Sequence, residues 1–360
     1  MNTIGHSLRL TLFGASHDPF IGCVIDGIPA GYPVDEEKIY QDLVLRKPAP
    51  GIGTARTEDD IPAISGLFNG VTTGKPLTIT FANTNVNDKD YETISRVPRP
   101  GHADYPAYCK YGAARDVRGG GMFSGRMTAP LVACGALLRD FCGAFGISVG
   151  SYVSQIGSVT DTGVYRPEDI MRVSRTNALR AMSAHLETQM KAEILAAKAD
   201  GDSVGGIVRC VAAGIPPGLG EPFFDTLDGE IAKAVFAVPG IKGIAFGAGF
   251  AAAGLRGSQN NDSYRIENGC IETESNNAGG ILGGMANGAA LDFSVVFKPT
   301  PSIAKPQKSV DLVDFADAQL FVKGRHDPCI APRGAIVVEA MTLFVLSDML
   351  IRGGFAECLK

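Results

Sequence analysis

The sequence predicts an α+β protein built in layers, organised as one large domain over residues 1–360. Three observations carry this. Strand-like segments come in antiparallel-looking pairs and helical segments in groups, without the regular alternation that builds a parallel sheet. No Gly-x-Gly-x-x-Gly follows a strand, which argues against a doubly wound dinucleotide fold. No low-complexity linker divides the chain. Length alone would suggest two domains, but layered folds reach this size as one unit.

Residues 7–14 and 21–27 alternate or run apolar and read as a strand pair. Residues 34–47 open with Asp35-Glu36-Glu37 and read as a helix, since acids favour the first turn. Residues 48–60 are loop. Residues 63–68 and 76–81 are β-like, with a hairpin turn expected at Thr72-Thr73-Gly74-Lys75. Residues 83–103 form a long polar loop, a kind that is often functional. After a triple glycine, residues 124–145 read as a largely buried helix. A strand follows at 147–156 and two helices within 167–200. Then come a strand at 203–213, a helix at 225–236 and a glycine-rich strand at 241–253. The chain continues with a loop at 278–284, a strand at 289–297 and an apolar helix at 336–351 that carries Glu339 and Asp348. Similar helix–loop–strand units end at 147–156 and 241–250, a hint of internal duplication.

The hydrophobic fraction of 45% allows a sizeable core, and the 20% of charged residues argues against disorder. A net charge of −5 gives no general case for nucleic-acid binding, so an anion site must come from local arginines. The eight cysteines form no Cys-x-x-Cys pair and no zinc-like spacing with histidine. They read as reduced structural residues, which fits a cytoplasmic protein. The N-terminus has no signal-peptide pattern and no run of ~18 apolar residues suggests a membrane span. Glycine, at 45 residues, clusters where tight loops could line a site.

Three of the five histidines sit in short clusters that carry both glycine and a carboxylate: Phe13–Asp18, Arg99–Asp104 and Gly324–Cys329. Histidine can give or take a proton near neutrality. Two of the clusters add an arginine, suited to phosphate or carboxylate oxygens. Residues Arg115–Arg126 place three further arginines around Gly119-Gly120-Gly121, ahead of a helix N-terminus that could bind phosphate. Lys298-Pro299-Thr300-Pro301-Ser302 is stiffened by proline and offers a lysine and hydroxyls to an oxyanion. Asn276–Gly284 could let a ring or phosphate approach the backbone. Plainer readings stand beside these: solvated arginines on a surface turn, a proline-stiffened edge, a close-packed turn, and a salt bridge between Asp327 and Arg325. Arg46, Arg56 and Arg96 read equally well as surface charges, and His6 and His185 as packing or surface residues. The residues alone point to an enzyme acting on a phosphorylated or polycarboxylate substrate, with a phosphate-bearing cofactor in prospect.

Taken in order, these motifs, with Gly257-Ser258-Gln259-Asn260 and Glu339-Ala340-Met341, resemble the chorismate synthase family along nearly the whole chain. The resemblance implies a sandwich with helices packed between two antiparallel β-sheets, assembled as a homotetramer. It implies a lyase that removes phosphate and a C6 proton, in an anti-1,4 sense, from 5-enolpyruvylshikimate 3-phosphate. The product, chorismate, ends the common part of the shikimate pathway toward aromatic amino acids. Reduced FMN would be needed without net redox change, and NADPH would serve only indirectly as reducing power. At 360 residues the chain is similar to forms that take reduced flavin from an external reductase.

By the same resemblance, His17 would protonate the reduced flavin near N1, and His102 would be the acid for the departing phosphate. Asp327 would help take the proton through flavin N5. Arg46, Arg99, Arg126 and Arg325 would hold the substrate's anionic groups. The FMN would lie against Met122, Phe123, Ser124, Pro239, Gly240, Gly283, Lys298, Pro299, Thr300, Pro301, Ser302 and Arg325. The chain departs from the usual pattern at Ala15, Asp18, Met122-Phe123 and Met127, where the family carries Glu, Gly, Arg-Ser and Glu. Two other readings remain: a flavin-dependent oxidoreductase, and a non-catalytic relative that binds flavin or a phosphometabolite.

Overall fold

The computed structural model describes residues 1–48, 51–53, 61–83, 92–322 and 326–355. Two five-stranded sheets, antiparallel throughout, face one another across a helical layer. The first runs Thr3–Ile4, Arg9–Phe13, Phe20–Asp26, Leu77–Ala82 and Ala63–Ser65 in spatial order. The second runs Ile241–Phe246, Leu291–Phe297, Gly206–Ala213, Ser148–Ile156 and Val159–Thr160. The strands alternate as half-buried strands should: Leu77, Ile79 and Phe81 face the core, and so do Leu291, Phe293, Val295 and Phe297. The expected sandwich is the observed one. The strands of both helix–strand units suspected of duplication lie in the second sheet.

Helix Thr128–Ala144 packs on the first sheet and helix Ala331–Arg352 on the second, and the two pack on each other. Gly135 sets that crossing, because a β-carbon there would overlap Ala340. Helix Ala331–Arg352 is long and apolar enough to cross a bilayer, but 94% of its apolar window is buried inside the protein. Its two acids are structural. Asp348 accepts the backbone N–H groups of His6, Ser7 and Leu8 at 2.9, 2.8 and 2.7 Å, fastening the N-terminal segment. Glu339 is fully buried and meets Arg180, Arg139 at 2.8 Å and Arg175 at 2.9 Å. Burial alone would raise its pKa, but the Arg180, Arg139 and Arg175 charges outweigh that and bring it to about 2.

Some local expectations are corrected. The chain between residues 65 and 77 reverses in an inner hairpin, Leu67–Phe68 against Val71–Thr72, so the turn falls at Asn69-Gly70. Thr72 is strand, and its hydroxyl bonds the Pro29 carbonyl. The expected helix from 124 starts at Thr128, because the Ser124 hydroxyl caps a 3-10 turn over Gly125–Met127. The strand from 241 ends at Phe246, and Gly249–Gly254 is a 3-10 turn. The polar stretch before His102 contains the short helix Glu92–Arg96, and helix Asp104–Tyr111 follows it. The loop residue Arg56 lies outside the described residues. The seven described cysteines are unpaired.

Candidate active site

A cleft of about 810 Å³ opens where six segments meet, close to one end of the helical layer. Arg46 and Lys47 reach it from the end of helix Glu36–Leu45, and Gly101–Ala103 from the loop before helix Asp104–Tyr111. The loop Gly119–Arg126, the strand start Pro239–Lys242, the segment Lys298–Ser302 and His326-Asp327 complete the wall. Hydrogen bonds lock these segments together. The Lys298 N–H donates to the Gly240 carbonyl at 2.9 Å, and its ammonium to the Gly101 carbonyl. The Thr300 hydroxyl donates to the Asp327 carbonyl at 2.7 Å.

The triple glycine is required by its surroundings. Gly119, Gly120 and Gly121 have φ of +61°, +93° and +55°, a region L side chains rarely adopt. A β-carbon on Gly119 would overlap the His17 ring, and one on Gly120 would lie 3.4 Å from His102 Nε2. The loop therefore separates the two histidines. His102 is on the cleft wall, whereas His17 is buried behind Gly119 with Nδ1 3.1 Å from the Ser16 hydroxyl.

The wall is cationic. Arg46 and Arg126 are both buried in it. Arg126 Nε donates to Asn83 Oδ1 at 3.1 Å, which fixes its plane. Burial, and then the neighbouring Lys242, lower the pKa of Lys298. Two ammonium groups that repel each other in one cleft suit an anionic guest. Apolar surface is present too, in Met122, Phe123 and Phe236. Asp327 pairs with Arg333, whose Nε also donates to the Arg46 carbonyl at 3.1 Å.

Most residues expected from the sequence thus come together: His102, Asp327, Arg46, Arg126, Met122, Phe123, Ser124, Pro239, Gly240 and Lys298–Ser302 all line the cleft. Arg99 stands behind the wall, because Asp104 holds its guanidinium at 2.8 and 2.9 Å. Gly283 is at the turn of the hairpin Ile281–Leu282 and Met285–Ala286, outside the cleft lining. Arg325 lies outside the described residues, and Arg333 is a partner of Asp327. Sequence reasoning gave no role to Asp104, Asn83, Lys242, Phe236 or Arg333. Only Asp104 carried a signal, through its place two residues after His102.

A histidine and a paired carboxylate on one cationic wall suit an enzyme that acts on a small anion. Comparison narrows this. The sequence model of the chorismate synthase family matches residues 8–351. A chorismate synthase of Korarchaeum cryptofilum is 44% identical over 350 residues, 97% of each chain. One of Archaeoglobus fulgidus is 44% identical over 355 residues, 98% of each. A crystal structure of chorismate synthase superposes with a TM-score of 0.75 at 28% identity, covering 97% of this chain and 93% of that one. The chain belongs to the chorismate synthase family, lyases that require a reduced flavin. The oxidoreductase and non-catalytic readings are not favoured by these relationships.

Proposed function

We propose that this cleft eliminates phosphate and the C6 proton from 5-enolpyruvylshikimate 3-phosphate, giving chorismate. The observation that carries the reading is that His102, Asp327, Arg46 and Arg126 share one cleft wall. Arg46 and Arg126, with Arg325 by resemblance, hold the phosphate and carboxylates, and forked guanidinium contacts suit both groups. His102 gives a proton from Nε2 to the departing phosphate, which eases its loss. Asp327, held by Arg333, accepts the proton leaving C6. His17, behind Gly119, would by resemblance supply a proton near N1 of the reduced flavin.

The cleft fits FMN. Met122, Phe123 and Phe236 offer an apolar bed for a flat ring, and Lys298 and Lys242 offer charge to a phosphate. Ser124, Pro239, Gly240 and Pro299–Ser302 would line the same seat, with Gly283 and Arg325 carried by resemblance alone. A reduced flavin, when bound, supplies electron density that no side chain has. NADPH is an indirect source of reducing power through an external reductase, and the compartment is the cytoplasm. The assembly is a homotetramer. Phe223, Phe224 and Phe250 and the hairpin residues Ile266 and Ile271 support this, since all five side chains are largely exposed.

The test is anaerobic turnover with dithionite-reduced FMN, following chorismate and phosphate together. Equal release of both, with flavin still reduced, is the expected result. Flavin reoxidised in step with product would overturn it in favour of an oxidoreductase. Light scattering after size exclusion checks the tetramer.

A further inference from the structure

His102 and Asp104 are two residues apart, and the intervening turn folds the imidazole back onto the carboxylate. His102 Nδ1 lies 2.5 Å from Asp104 Oδ1. The same oxygen accepts Arg99 Nη2 at 2.9 Å. The other oxygen accepts Arg99 Nε at 2.8 Å and the Arg99 N–H at 3.0 Å. We infer that Arg99 and Asp104 are a positioning unit for His102: the carboxylate holds the Nδ1 proton, Nε2 is thereby presented to the cleft, and Arg99 grips the carboxylate rather than the substrate.

Hydrogen-bond chemistry decides the direction. An ionised carboxylate only accepts, so the bond to Asp104 makes Nδ1 the donor. Arg99 Nη2 is 3.1 Å from Nδ1, but two donors do not bond, so that distance follows from their shared acceptor. Burial alone would raise the Asp104 pKa. Hydrogen bonds from Arg99 and His102 outweigh it and hold the carboxyl well below the usual range. The forked Arg99 contact fixes the plane of the carboxylate, and the carboxylate fixes the ring. Only Arg99 Nη1 is directed elsewhere, 3.5 Å from the Ser302 hydroxyl.

The inference rests on the proposed elimination for its kinetic arm, but not for its spectroscopic one. Nitrogen-15 spectra of the histidine-labelled wild type, with His102 assigned by comparison with His102→Gln, report the tautomer directly. A proton on Nδ1 and a bare Nε2 in the neutral ring are expected. The opposite tautomer overturns the inference whether or not the enzyme makes chorismate. In turnover, Asp104→Asn is expected to lower kcat about 10²-fold, the scale of lost acid catalysis, with KM within about threefold. Asp104→Glu should restore part of kcat. A rise in KM with kcat unchanged, for either Asp104→Asn or Arg99→Lys, would instead make Arg99 a substrate clamp and sink the idea. A wild type with the expected tautomer but no turnover would count against the proposed elimination and leave the positioning unit supported.

Discussion

Gly119 stands so close to the His17 imidazole that no room is left between them for a β-carbon. Its neighbour Gly120 stands in the same relation to His102 at a looser 3.4 Å, so one loop spaces both rings. Gly119→Ala would strain a φ of +61° and push His17 aside. Turnover should fall about 10²-fold, as for a small misplacement of a reacting group, and stability should drop by about 1 kcal/mol or more. Gly143→Ala, where a β-carbon meets open space, should cost neither. Parallel melts and steady-state rates check the pair.

His102→Ala should lower kcat by about 10²–10⁴-fold while substrate still binds. Single-turnover phosphate release separates the two. Unchanged release would move the acid elsewhere in the cleft.

Arg333 joins Asp327 to the Arg46 carbonyl from the first turn of helix Ala331–Arg352. Arg333→Met should cost about 1.5–3 kcal/mol of charged hydrogen bonding, roughly ten- to hundredfold in kcat/KM. Arg333→Lys keeps the charge without the fork and should fall between the two. Equal values for Lys and Met would show that only the fork matters.

Phe123→Ser removes aromatic surface from the proposed flavin bed. Reduced and oxidised FMN should both bind about 3- to 10-fold more weakly, the worth of one stacking contact. Fluorescence titration reads this without turnover. No change in affinity would place the ring away from Phe123.

Glu339 gives a pH signature distinct from catalysis. Its folded pKa of about 2 is below the ordinary 4.5, so the unfolded chain takes up the proton first. The stability it contributes is therefore complete above pH 4.5 and is lost as pH falls toward 2. Glu339→Gln should cost about 3–5 kcal/mol at neutral pH, because three arginines keep their charge without it. It should also flatten that part of the acid dependence, which urea melts at pH 7 and pH 3 would measure.

The candidate site was more legible than its supports. His17, His102 and Asp327 announce themselves because rare titratable residues sit beside glycines in loops. The long elements are legible through their apolar period, as in Leu291–Phe297. The hairpins Tyr264–Glu267 with Cys270–Thr273 and Gln307–Asp311 with Ala316–Leu320 were not, since neither buries a regular face. The reversal at Asn69-Gly70 carried an Asn-Gly hairpin signal that the polar run after it obscured. Helix Asp104–Tyr111 has Pro106 at its third residue, a place a helix tolerates but a sequence reading takes as a break. Arg333 could not be tied to Asp327 from spacing alone, because the helix start between them decides where each side chain points.

Helix Ala331–Arg352 fills the middle layer, yet it is made after every strand it packs against. A nascent chain on the ribosome therefore holds two sheets and helix Thr128–Ala144 without their common filling, with apolar faces open to any neighbour. The fold closes only when this segment emerges, so synthesis leaves a long interval in which a chaperone, or another unfinished copy, competes for the space it will occupy.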